Sequence, residues 1–342
     1  MREELLGKTP EELKAAALSA GLPAFAGKQL AQWLYGKKVR TFDGMTNISK
    51  VGREKLSQVF SLGVTLPSGS QTSVDGTRKY LFPVGETESV EAVMIPGEDR
   101  KTLCVSSQAG CRMGCRFCMT GRQGFNGNLT AAQILSQFIA VDEAPELTNA
   151  VFMGMGEPLD NLDNVMRAID VLTADWGFAW SPKRITLSTI GHIPNLRRYL
   201  DGTRCHVAVS LHSPFPEERA ELMPVQKAWP VEETIDILRE YDFTGQRRVS
   251  FEYIMFAGLN DDKKHADAVI RLLRGLECRV NLIRFHSIPD APYRTSPQVV
   301  MEKFRDRLSS NGITCTIRAS RGEDILAACG LLAGEHKKTI NI

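Results

Sequence analysis

Three cysteines close together carry the clearest chemical signal in the sequence. Cys111, Cys115 and Cys118 are separated by three residues and then by two, with Phe117 just before the last of them. Thiolates bind soft metal ions and iron–sulfur clusters, and three of them from one short turn can hold three corners of a cubic four-iron, four-sulfur cluster. Ordinary electron-transfer clusters bind four cysteines. The spacing therefore predicts a cluster whose fourth iron has no protein ligand and is open to chemistry.

Two other interpretations of these thiols remain open on the residues alone. A structural zinc site needs four ligands, usually as two separated pairs, and no fourth Cys or His lies nearby in the sequence. A distant histidine such as His192, His206 or His212 could complete such a site. Alternatively, the three thiols could be buried and lie close together by chance.

Composition places the chain among ordinary globular proteins. Hydrophobic residues make up 43% of the 342 residues and charged residues 24%, and the formal net charge is +2, which by itself gives no argument for a nucleic-acid partner. The first residues lack the apolar core of a signal peptide, and no apolar run is long enough to cross a bilayer. We therefore expect a cytoplasmic protein without a membrane partner, whose eight cysteines serve metal or redox chemistry before structural disulfides.

The residue pattern divides the chain into three segments. Residues 1–65 predict a small helical domain, residues 66–100 a β-rich extension, and residues 101–342 an alternation of strands and helices. Helices of the first segment are predicted from Glu11 to Ser19, from Lys28 to Tyr35 and from Ile48 to Phe60, and strands of the second from Arg78 to Val84 and from Val90 to Ile95.

The alternation in the third segment contains six β/α units and predicts the α/β class. Such units form a parallel sheet with right-handed crossovers, curled here into a full or partial barrel, and Cys315 to Ala319 could add a flanking strand. The predicted strands run from Thr102 to Ser106, Asn149 to Met153, Arg184 to Ser188, His206 to Leu211, Val249 to Phe256 and Val280 to Phe285, and predicted helices include Thr130 to Val141, Val231 to Tyr241 and Asp262 to Leu276.

Polar residues follow the predicted strands where a parallel barrel places its functional groups, at the carboxyl ends. The loop that carries Cys111, Cys115 and Cys118, called the cysteine loop below, follows the first predicted strand. The carboxyl ends of the strands form the mouth of the barrel. Further residues that we expect at this mouth are Gly156, Glu157, Ser188, Ser210, Leu211, His212 and His286. Glu157, after two glycines, could accept hydrogen bonds from a ligand ammonium. The glycines could instead form only a tight turn, the serines could cap helices, and His212 could merely order the turn at Ser213.

Two further cysteines and one carboxylate are candidates of a different kind. Cys104 lies on the strand that leads into the cysteine loop, and Cys329 has small neighbours that leave a thiol accessible, although a free cysteine is more often a small core residue. Glu91 shares a strand face with Val93 and Ile95. Such a carboxylate must be paired or have a raised pKa, which would suit a general base. An exposed strand face or an ion pair with Arg100 would explain it equally well.

Taken together, these motifs resemble the RlmN/Cfr family of radical S-adenosylmethionine RNA methyltransferases. The resemblance covers nearly the whole chain and implies a partial (β/α)6 radical-SAM barrel with a small N-terminal helical domain that contacts RNA. The segments that carry it are the cluster motif, Thr102 to Gln108, Gly121 to Phe125, Phe152 to Pro158, Ser210 to Pro214, Gly322 to Ile325 and Ala327 to Gly330.

The resemblance also implies cofactors and residue roles. Cys111, Cys115 and Cys118 would hold one 4Fe-4S cluster, whose open iron chelates S-adenosylmethionine. That cofactor would be lined by Gly156, Glu157, Ser188, Ser210, Leu211 and His212, and by His286, where the family commonly has Asn. One cofactor molecule methylates Cys329 and a second yields a deoxyadenosyl radical that takes hydrogen from the S-methyl group. The resulting carbon radical adds to carbon-2 of an adenine.

The covalent adduct of RNA and Cys329 implied in this way must then be resolved. Glu91 would accept the carbon-2 proton, and Cys104 would attack the sulfur and form a disulfide with Cys329. The family's substrates are an adenosine in the peptidyl-transferase centre of 23S rRNA and the adenosine 3′ of the anticodon in some tRNAs. An electron donor such as flavodoxin, a thiol reductant and a monomeric state are expected as well.

Two alternatives to this assignment stay open on the sequence, together with the details of RNA contact. The first is methylation at carbon-8 of the same ribosomal adenine, although Val90-Glu91-Ala92-Val93 favours the carbon-2 branch of the family. The second is a zinc-stabilised RNA-binding module without catalysis. Candidate phosphate contacts are Lys37, Lys38 and Arg40 in the helical segment and Arg318 and Arg321 near Cys329.

Overall fold

The N-terminal segment folds as a small helical unit. The computed structural model of the protein describes residues 2–245 and 247–333, so the last nine residues of the predicted segment 101–342 lie outside it. The first helix begins with a capping box between Thr9 and Glu12. The second passes directly into a π-helical turn over Gln32–Gly36. The elements are β1 (Glu3–Glu4), α1 (Pro10–Ser19), α2 (Ala26–Ala31), α3 (Lys50–Val59) and β2 (Phe60–Ser61), with β1 parallel to β2.

The following segment forms an antiparallel extension that joins the main sheet. The strands are β3 (Gly69–Thr72), β4 (Arg78–Val84), β5 (Glu88–Pro96) and β6 (Lys101–Cys104). Each pairs antiparallel with the next. The predicted β-rich extension is therefore the outer part of one continuous sheet, and its inner edge is the first strand of the barrel.

The cysteine loop leaves the barrel immediately after β6 and is framed by a short hairpin. The elements here are β7 (Gln108–Gly110), α4 (Met119–Arg122) and β8 (Phe125–Asn128). Strands β7 and β8 pair antiparallel in a separate two-stranded sheet. This hairpin was not predicted from the sequence, because its strands are short and rich in glycine.

Seven parallel strands form the partial barrel. Six of them are β6 and β9–β13, and the flanking strand β14 pairs parallel with β13, so the order in the ten-stranded sheet is β14-β13-β12-β11-β10-β9-β6-β5-β4-β3. The remaining elements are α5 (Ala131–Ala140), β9 (Asn149–Phe152), α6 (Leu162–Thr173), β10 (Ile185–Thr189), α7 (Ile193–Gly202), β11 (His206–Ser210), α8 (Pro216–Leu222), α9 (Val231–Arg239), β12 (Val249–Met255), α10 (Lys263–Leu272), β13 (Arg279–Arg284), α11 (Gln298–Ser310) and β14 (Thr314–Ile317).

The α/β fold predicted from the sequence is confirmed. Side chains alternate along the barrel strands, so that in β10 Ile185 and Leu187 are fully buried while Thr186 and Ser188 line an internal cavity. In the part of the chain that the structure describes, no helix is long and apolar enough to cross a membrane.

The helical unit contacts the barrel through Lys38 and Arg40, two of the side chains that the sequence predicts as phosphate contacts. Lys38 donates to the carbonyl of Ala144 at 2.8 Å, and its ammonium lies 4.5 Å from the centre of the Phe178 ring. Arg40 donates to the carbonyls of Ile139 and Val141 at the end of α5. Lys38 and Arg40 therefore bind protein carbonyls, and their expected phosphate contacts stay a prediction.

Candidate active site

One internal cavity of about 750 Å³ collects almost all of the candidate residues at the carboxyl ends of the barrel strands. Glu91 and Leu211 are the two predicted site residues outside its lining. Those that line it are Cys104, Cys111, Cys115, Cys118, Gly156, Glu157, Ser188, Ser210, His212, His286 and Cys329. The side chain of Leu211 is fully buried behind the wall, so this residue can face a ligand only through its backbone.

The cysteine loop is shaped by a close backbone contact. Gly110 has a φ of +72°, and a Cβ there would lie 1.9 Å from the carbonyl oxygen of Gly124. Only glycine fits such a position. The N–H of Cys111 donates to the same carbonyl at 2.8 Å. The loop is thus closed at its base, and its three thiols face the cavity.

The three thiols lie close enough to affect one another electrostatically. Burial is the main cause that raises the pKa of Cys111 to about 12 and the pKa of Cys115 well above its usual range, and the neighbouring thiols add to both shifts. Three thiolates at these positions would repel each other unless a cationic centre lay between them. In the described residues, no group of three or more His, Cys, Asp or Glu is gathered as ligands of a single metal ion.

Glu157 is a buried carboxylate that has no cation beside it in the part of the chain that the structure describes. Its two oxygens accept hydrogen bonds from the N–H groups of Leu159 and Ile190 at 3.1 and 3.0 Å. Burial raises the pKa of Glu157 to about 7. The preceding Gly156 has a φ of +97°, and a Cβ there would come within 2.5 Å of the Gln108 side chain. The glycine therefore serves a close approach of two chain segments, which brings Glu157 to the cavity wall.

His212 is a neutral hydrogen-bond donor toward the cavity. Its Nδ1 accepts from the N–H of Ile254 at 3.0 Å, so the remaining ring proton sits on Nε2. Burial lowers the pKa of His212 to about 3, with the Arg219 cation as a second cause. Phe117 of the cysteine loop packs edge-on against the ring at 4.8 Å. The cysteine loop and the end of β11 are thereby in direct contact.

His286 is held at the far side of the cavity by polar neighbours. Its Nε2 lies 3.2 Å from the hydroxyl of Ser320, and its Nδ1 lies 3.7 Å from a carboxylate oxygen of Glu323. Burial lowers the pKa of His286. Ser188 and Ser210 line the same cavity from β10 and β11. The position offers hydrogen-bond capacity whether it carries His or Asn.

The segment that carries Cys329 is docked onto the cysteine loop. The N–H of Met119 donates to the carbonyl of Gly330 at 2.9 Å, and the hydroxyl of Thr120 donates to the carbonyl of Leu332 at 2.6 Å. The hydrogen bonds from Met119 and Thr120 place Cys329 at the cavity, where it is exposed. Residues 322–333, which include Cys329, are called the tail below.

Cys104 and Cys329 both line the cavity although 224 residues lie between them in the chain. Burial raises the pKa of Cys104 to about 12, and the thiol of Cys329 is the next cause. Although Cys329 is accessible from the cavity, the surrounding protein still raises its pKa to about 11. Both residues are free thiols in this structure. Both thiols can therefore be reached from the same cavity.

Glu91 is paired rather than exposed, and its partner is not the one suggested by the sequence. One carboxylate oxygen lies 3.0 Å from the ammonium of Lys79, and the other accepts the N–H of Ala333 at 2.9 Å. Strand pairing sets Lys79 opposite Val93, so it reaches Glu91 diagonally across β4 and β5. The suggested exposed face and ion pair with Arg100 are both corrected by this geometry.

Comparisons with known proteins decide the family. A model of the radical SAM superfamily matches residues 105–269, and a model of the ribosomal RNA large subunit methyltransferase N-terminal domain matches residues 3–62. A probable dual-specificity RNA methyltransferase RlmN from Porphyromonas gingivalis is 62% identical over 96% of both chains. The chain belongs to the RlmN family of radical SAM RNA methyltransferases.

Other RlmN relatives and one solved structure agree with this membership. A dual-specificity RNA methyltransferase RlmN from Syntrophus aciditrophicus is 40% identical over 95% of this chain and 94% of its own length. The crystal structure of a radical SAM methyltransferase from Sphaerobacter thermophilus superposes with a TM-score of 0.92 at 37% identity, covering 96% of this chain and 99% of the other. The whole fold is therefore that of a radical SAM methyltransferase.

Membership in the RlmN family implies a 4Fe-4S cluster and S-adenosylmethionine as cofactors. The residues present fit both groups. Three thiols of one loop line the same cavity and are the soft ligands that iron–sulfur clusters bind. Glu157 is a buried acceptor without a cation, which suits the ammonium of the second cofactor.

Sequence reasoning missed three charged residues around this RlmN-family site. They are Lys79, Glu252 and Arg219. Lys79 supplies the cation that pairs with Glu91. Glu252 is a buried carboxylate whose Oε1 accepts hydrogen bonds from the side chains of Ser250 and Asn281. Arg219 is fully buried behind the cysteine loop. No local pattern marks any of them, because each acquires its role from residues that are distant in the sequence.

Proposed function

We propose that this RNA methyltransferase of the radical SAM type methylates carbon-2 of adenosine in 23S rRNA and in tRNA next to the anticodon. The methyl group is carried on Cys329, and the reaction passes through a covalent bond between RNA and protein. The observation that carries the proposal is that two free thiols, Cys104 and Cys329, line the same cavity as the cysteine loop although they are far apart in the sequence.

The proposed ligands of the cluster are Cys111, Cys115 and Cys118. When bound, the cofactors supply the methyl group and the radical that later removes a hydrogen atom from it. Glu157 would accept hydrogen bonds from the ammonium of S-adenosylmethionine, and the Nε2–H of His212 would donate one. Ser188, Ser210 and the backbone of Gly156 and Leu211 complete this side, and His286 faces it.

Cys329 and Cys104 have different roles in the proposed reaction with RNA: Cys329 is the site of attachment and Cys104 releases the product. The carbon attached to the sulfur of Cys329 bonds to carbon-2 of the adenine, which ties RNA to protein. Glu91 accepts the proton that leaves carbon-2, while the unpaired electron of the adduct passes to an oxidised one-electron carrier. Cys104 then attacks the sulfur of Cys329, so that an S–S bond forms while the bond between sulfur and the transferred carbon breaks. The electron pair of that broken bond stays on the carbon, which takes up a proton and becomes the methyl group. A thiol reductant reopens the disulfide, and an electron donor such as flavodoxin serves the cluster.

RNA contact is proposed for two parts of the chain. Residues 1–65 form the helical segment, where Lys37 is exposed while its neighbours bind the barrel. Arg318 lines the cavity beside Cys104 and Cys329, and the cation of Arg321 is close to it in sequence. Positive side chains at the mouth would hold the phosphates that flank a target adenosine.

Mass spectrometry of nucleosides from RNA modified in vitro tests the proposal. Ribosomal RNA and tRNA from a strain without this activity are incubated anaerobically with cluster-loaded protein, S-adenosylmethionine and a reductant. We expect 2-methyladenosine from both RNAs. Exclusive 8-methyladenosine would assign the carbon-8 reaction instead, and unmodified RNA with fully loaded protein would contradict the proposed function.

A further inference from the structure

Arg219 is the largest fully buried side chain of the described residues. It lies on α8, and its guanidinium hydrogen-bonds the backbone at the ends of strands β10 and β11. Nε donates to the carbonyl of Leu211 at 3.1 Å, and Nη2 donates to the carbonyls of Ile190 and Ser210 at 2.8 and 2.9 Å. Nη1 donates to the side chain of Gln226. The residue therefore holds the backbone behind the site.

All four hydrogen-bond acceptors of this guanidinium in the described residues are neutral. The nearest acid in the network is Glu232, which accepts a hydrogen bond from the amide of Gln226 at 3.1 Å rather than from Arg219 itself. Carbonyl oxygens solvate a cation but do not neutralise it, and a buried charge without a counter-charge is costly. In the described residues no carboxylate is hydrogen-bonded to this cation, and Glu232 opposes its charge only from behind Gln226.

The cysteine loop lies directly against the helix of Arg219. The N–H of Arg116 donates to the carbonyl of Leu222 at 3.0 Å, and Cys115, Ile190 and Leu222 belong to one packed apolar cluster. The helix that carries the buried cation is therefore in direct contact with the loop whose thiols are proposed to bind the cluster.

We propose that Arg219 is the buried counter-charge of the thiolate-bound cluster and that it raises the reduction potential of that cluster. The inference rests on the proposed ligands Cys111, Cys115 and Cys118. Arg219 acts through electrostatics and through the loops that it holds, so it is a positioning residue and not a catalytic one. It makes the cluster easier to reduce by an external one-electron donor.

The sign of the effect follows from charge alone. One-electron reduction adds a negative charge to the cluster, and a nearby fixed cation stabilises the reduced form more than the oxidised form. Water is excluded from Arg219, so screening is weak. Burial lowers the pKa of Arg219 to about 10, which leaves the guanidinium charged at neutral pH.

The test is a redox titration of the reconstituted cluster, followed by electron paramagnetic resonance, in Arg219→Met and Arg219→Lys. For Arg219→Met we expect the equilibrium constant for reduction to fall at least about tenfold, which for one electron is a shift of about 59 mV to more negative potential. Arg219→Lys keeps the charge and should recover most of the shift. An unchanged potential in folded, iron-loaded Arg219→Met overturns the inference.

Arg247 supplies a matched control for the loss of a buried arginine. It is also buried, and it also binds backbone carbonyls, those of Leu200 and Thr203, but it lies before β12, on the opposite end of the barrel. Arg247→Met should destabilise the protein to a similar extent and leave the potential unchanged. A shift of the same size in both variants would assign the effect to general loosening and contradict the inference.

If Arg219→Met does not fold, Glu232→Gln decides the question without removing the cation. Loss of the anion next to Gln226 leaves the charge of Arg219 less opposed, so the potential should move in the positive direction. No shift, or a negative one, contradicts the inference. Iron loading of the wild-type protein separates the two proposals, because failure to load a cluster refutes the proposed ligands, whereas a normal cluster with an insensitive potential refutes only the role of Arg219.

Discussion

Glu157 and Glu91 are two nearly buried carboxylates that differ in whether the protein supplies a cation beside them. Glu157 stands at the mouth of the parallel barrel, where it accepts two backbone N–H groups and has no cation beside it, and burial raises its pKa to about 7. Glu91 stands in the antiparallel extension, outside the lining of the cavity. It has both the ammonium of Lys79 and the N–H of Ala333.

The difference indicates which of the two carboxylates gains a counter-charge from a ligand and which already has one from the protein. A buried carboxylate without a cation is costly in the free protein and gains most when a ligand brings the missing charge. A carboxylate with a protein cation is already satisfied. We therefore expect a ligand to supply the missing charge at the mouth, whereas Glu91 is already paired with Lys79 and with the tail through Ala333.

Loss of a cluster thiol should have the largest effect, because it removes the function of the mouth altogether. We expect Cys115→Ala to abolish iron loading and RNA methylation while the fold, and with it the pair of Glu91 and Lys79, persists. Iron analysis, the visible spectrum and nucleoside analysis measure this. Cys205→Ala is the control, since Cys205 is buried outside the cavity lining. Full iron content in Cys115→Ala would refute the assignment.

Removing the charge of Glu157 should weaken cofactor binding by at least about tenfold, because a buried ion pair with the ligand ammonium is lost. Titration of cluster-loaded Glu157→Gln with S-adenosylmethionine, by calorimetry, measures the change. The control is Asp163→Asn on the exposed start of α6, where the carboxylate is largely exposed. Equal affinities of Glu157→Gln and wild type would remove Glu157 from the cofactor site.

The same residue predicts a pH dependence with a defined sign. The pKa of Glu157 is raised from 4.5 to about 7, and the ammonium binds the ionised form, so affinity should rise about tenfold per pH unit up to about pH 7 and then level off. Stability of the ligand-free protein should fall over the same range, because the folded carboxyl holds its proton more tightly than the unfolded one. Asp160 and Cys111 also face this region. A pH-independent affinity in wild type would contradict the raised pKa.

Glu91→Gln should affect only the step on RNA. We expect RNA methylation to slow by about a hundredfold, the usual contribution of a proton acceptor, with normal iron content, normal affinity for S-adenosylmethionine and normal methylation of Cys329. Peptide mapping and single-turnover assays separate these steps. If Cys329 is left unmethylated in Glu91→Gln, the carboxylate acts earlier than we propose, and the contrast with Glu157 disappears.

The smallest effect on activity is expected from Lys79→Met, which should act mainly on stability. Breaking a buried ion pair by removing one partner costs about 3 kcal/mol, because Glu91 is left without its cation. Denaturant unfolding measures this cost. The exposed pair of Lys101 and Glu146 is the control, since Lys101→Met should cost less than about 1 kcal/mol. Equal costs would show that the pair at Glu91 is not effectively buried.

The sequence predicted the parts of this contrast that depend on local periodicity. Strand alternation located β9 to β13, and the rule that functional groups follow parallel strands brought Glu157 and His212 to one mouth. The partner of Glu91 could not be predicted in this way, because the diagonal from Lys79 depends on the register between β4 and β5. The contacts of Lys38 with Ala144 and Phe178 could not be predicted either, because a basic run on a helical segment indicates a solvated face until the neighbouring structure is known.

The proposed release of RNA from Cys329 by Cys104 can be tested in cells. RNA-bound protein is isolated under denaturing conditions from cells that make Cys104→Ala, Cys104→Ala with Cys329→Ala, or Cys278→Ala as a control, and the cross-linked peptide is sequenced. The account predicts a denaturant-stable adduct in Cys104→Ala alone, mapped to Cys329 and to carbon-2 of an adenosine. A Cys104→Ala protein that methylates RNA at the normal rate and carries no bound RNA would contradict it.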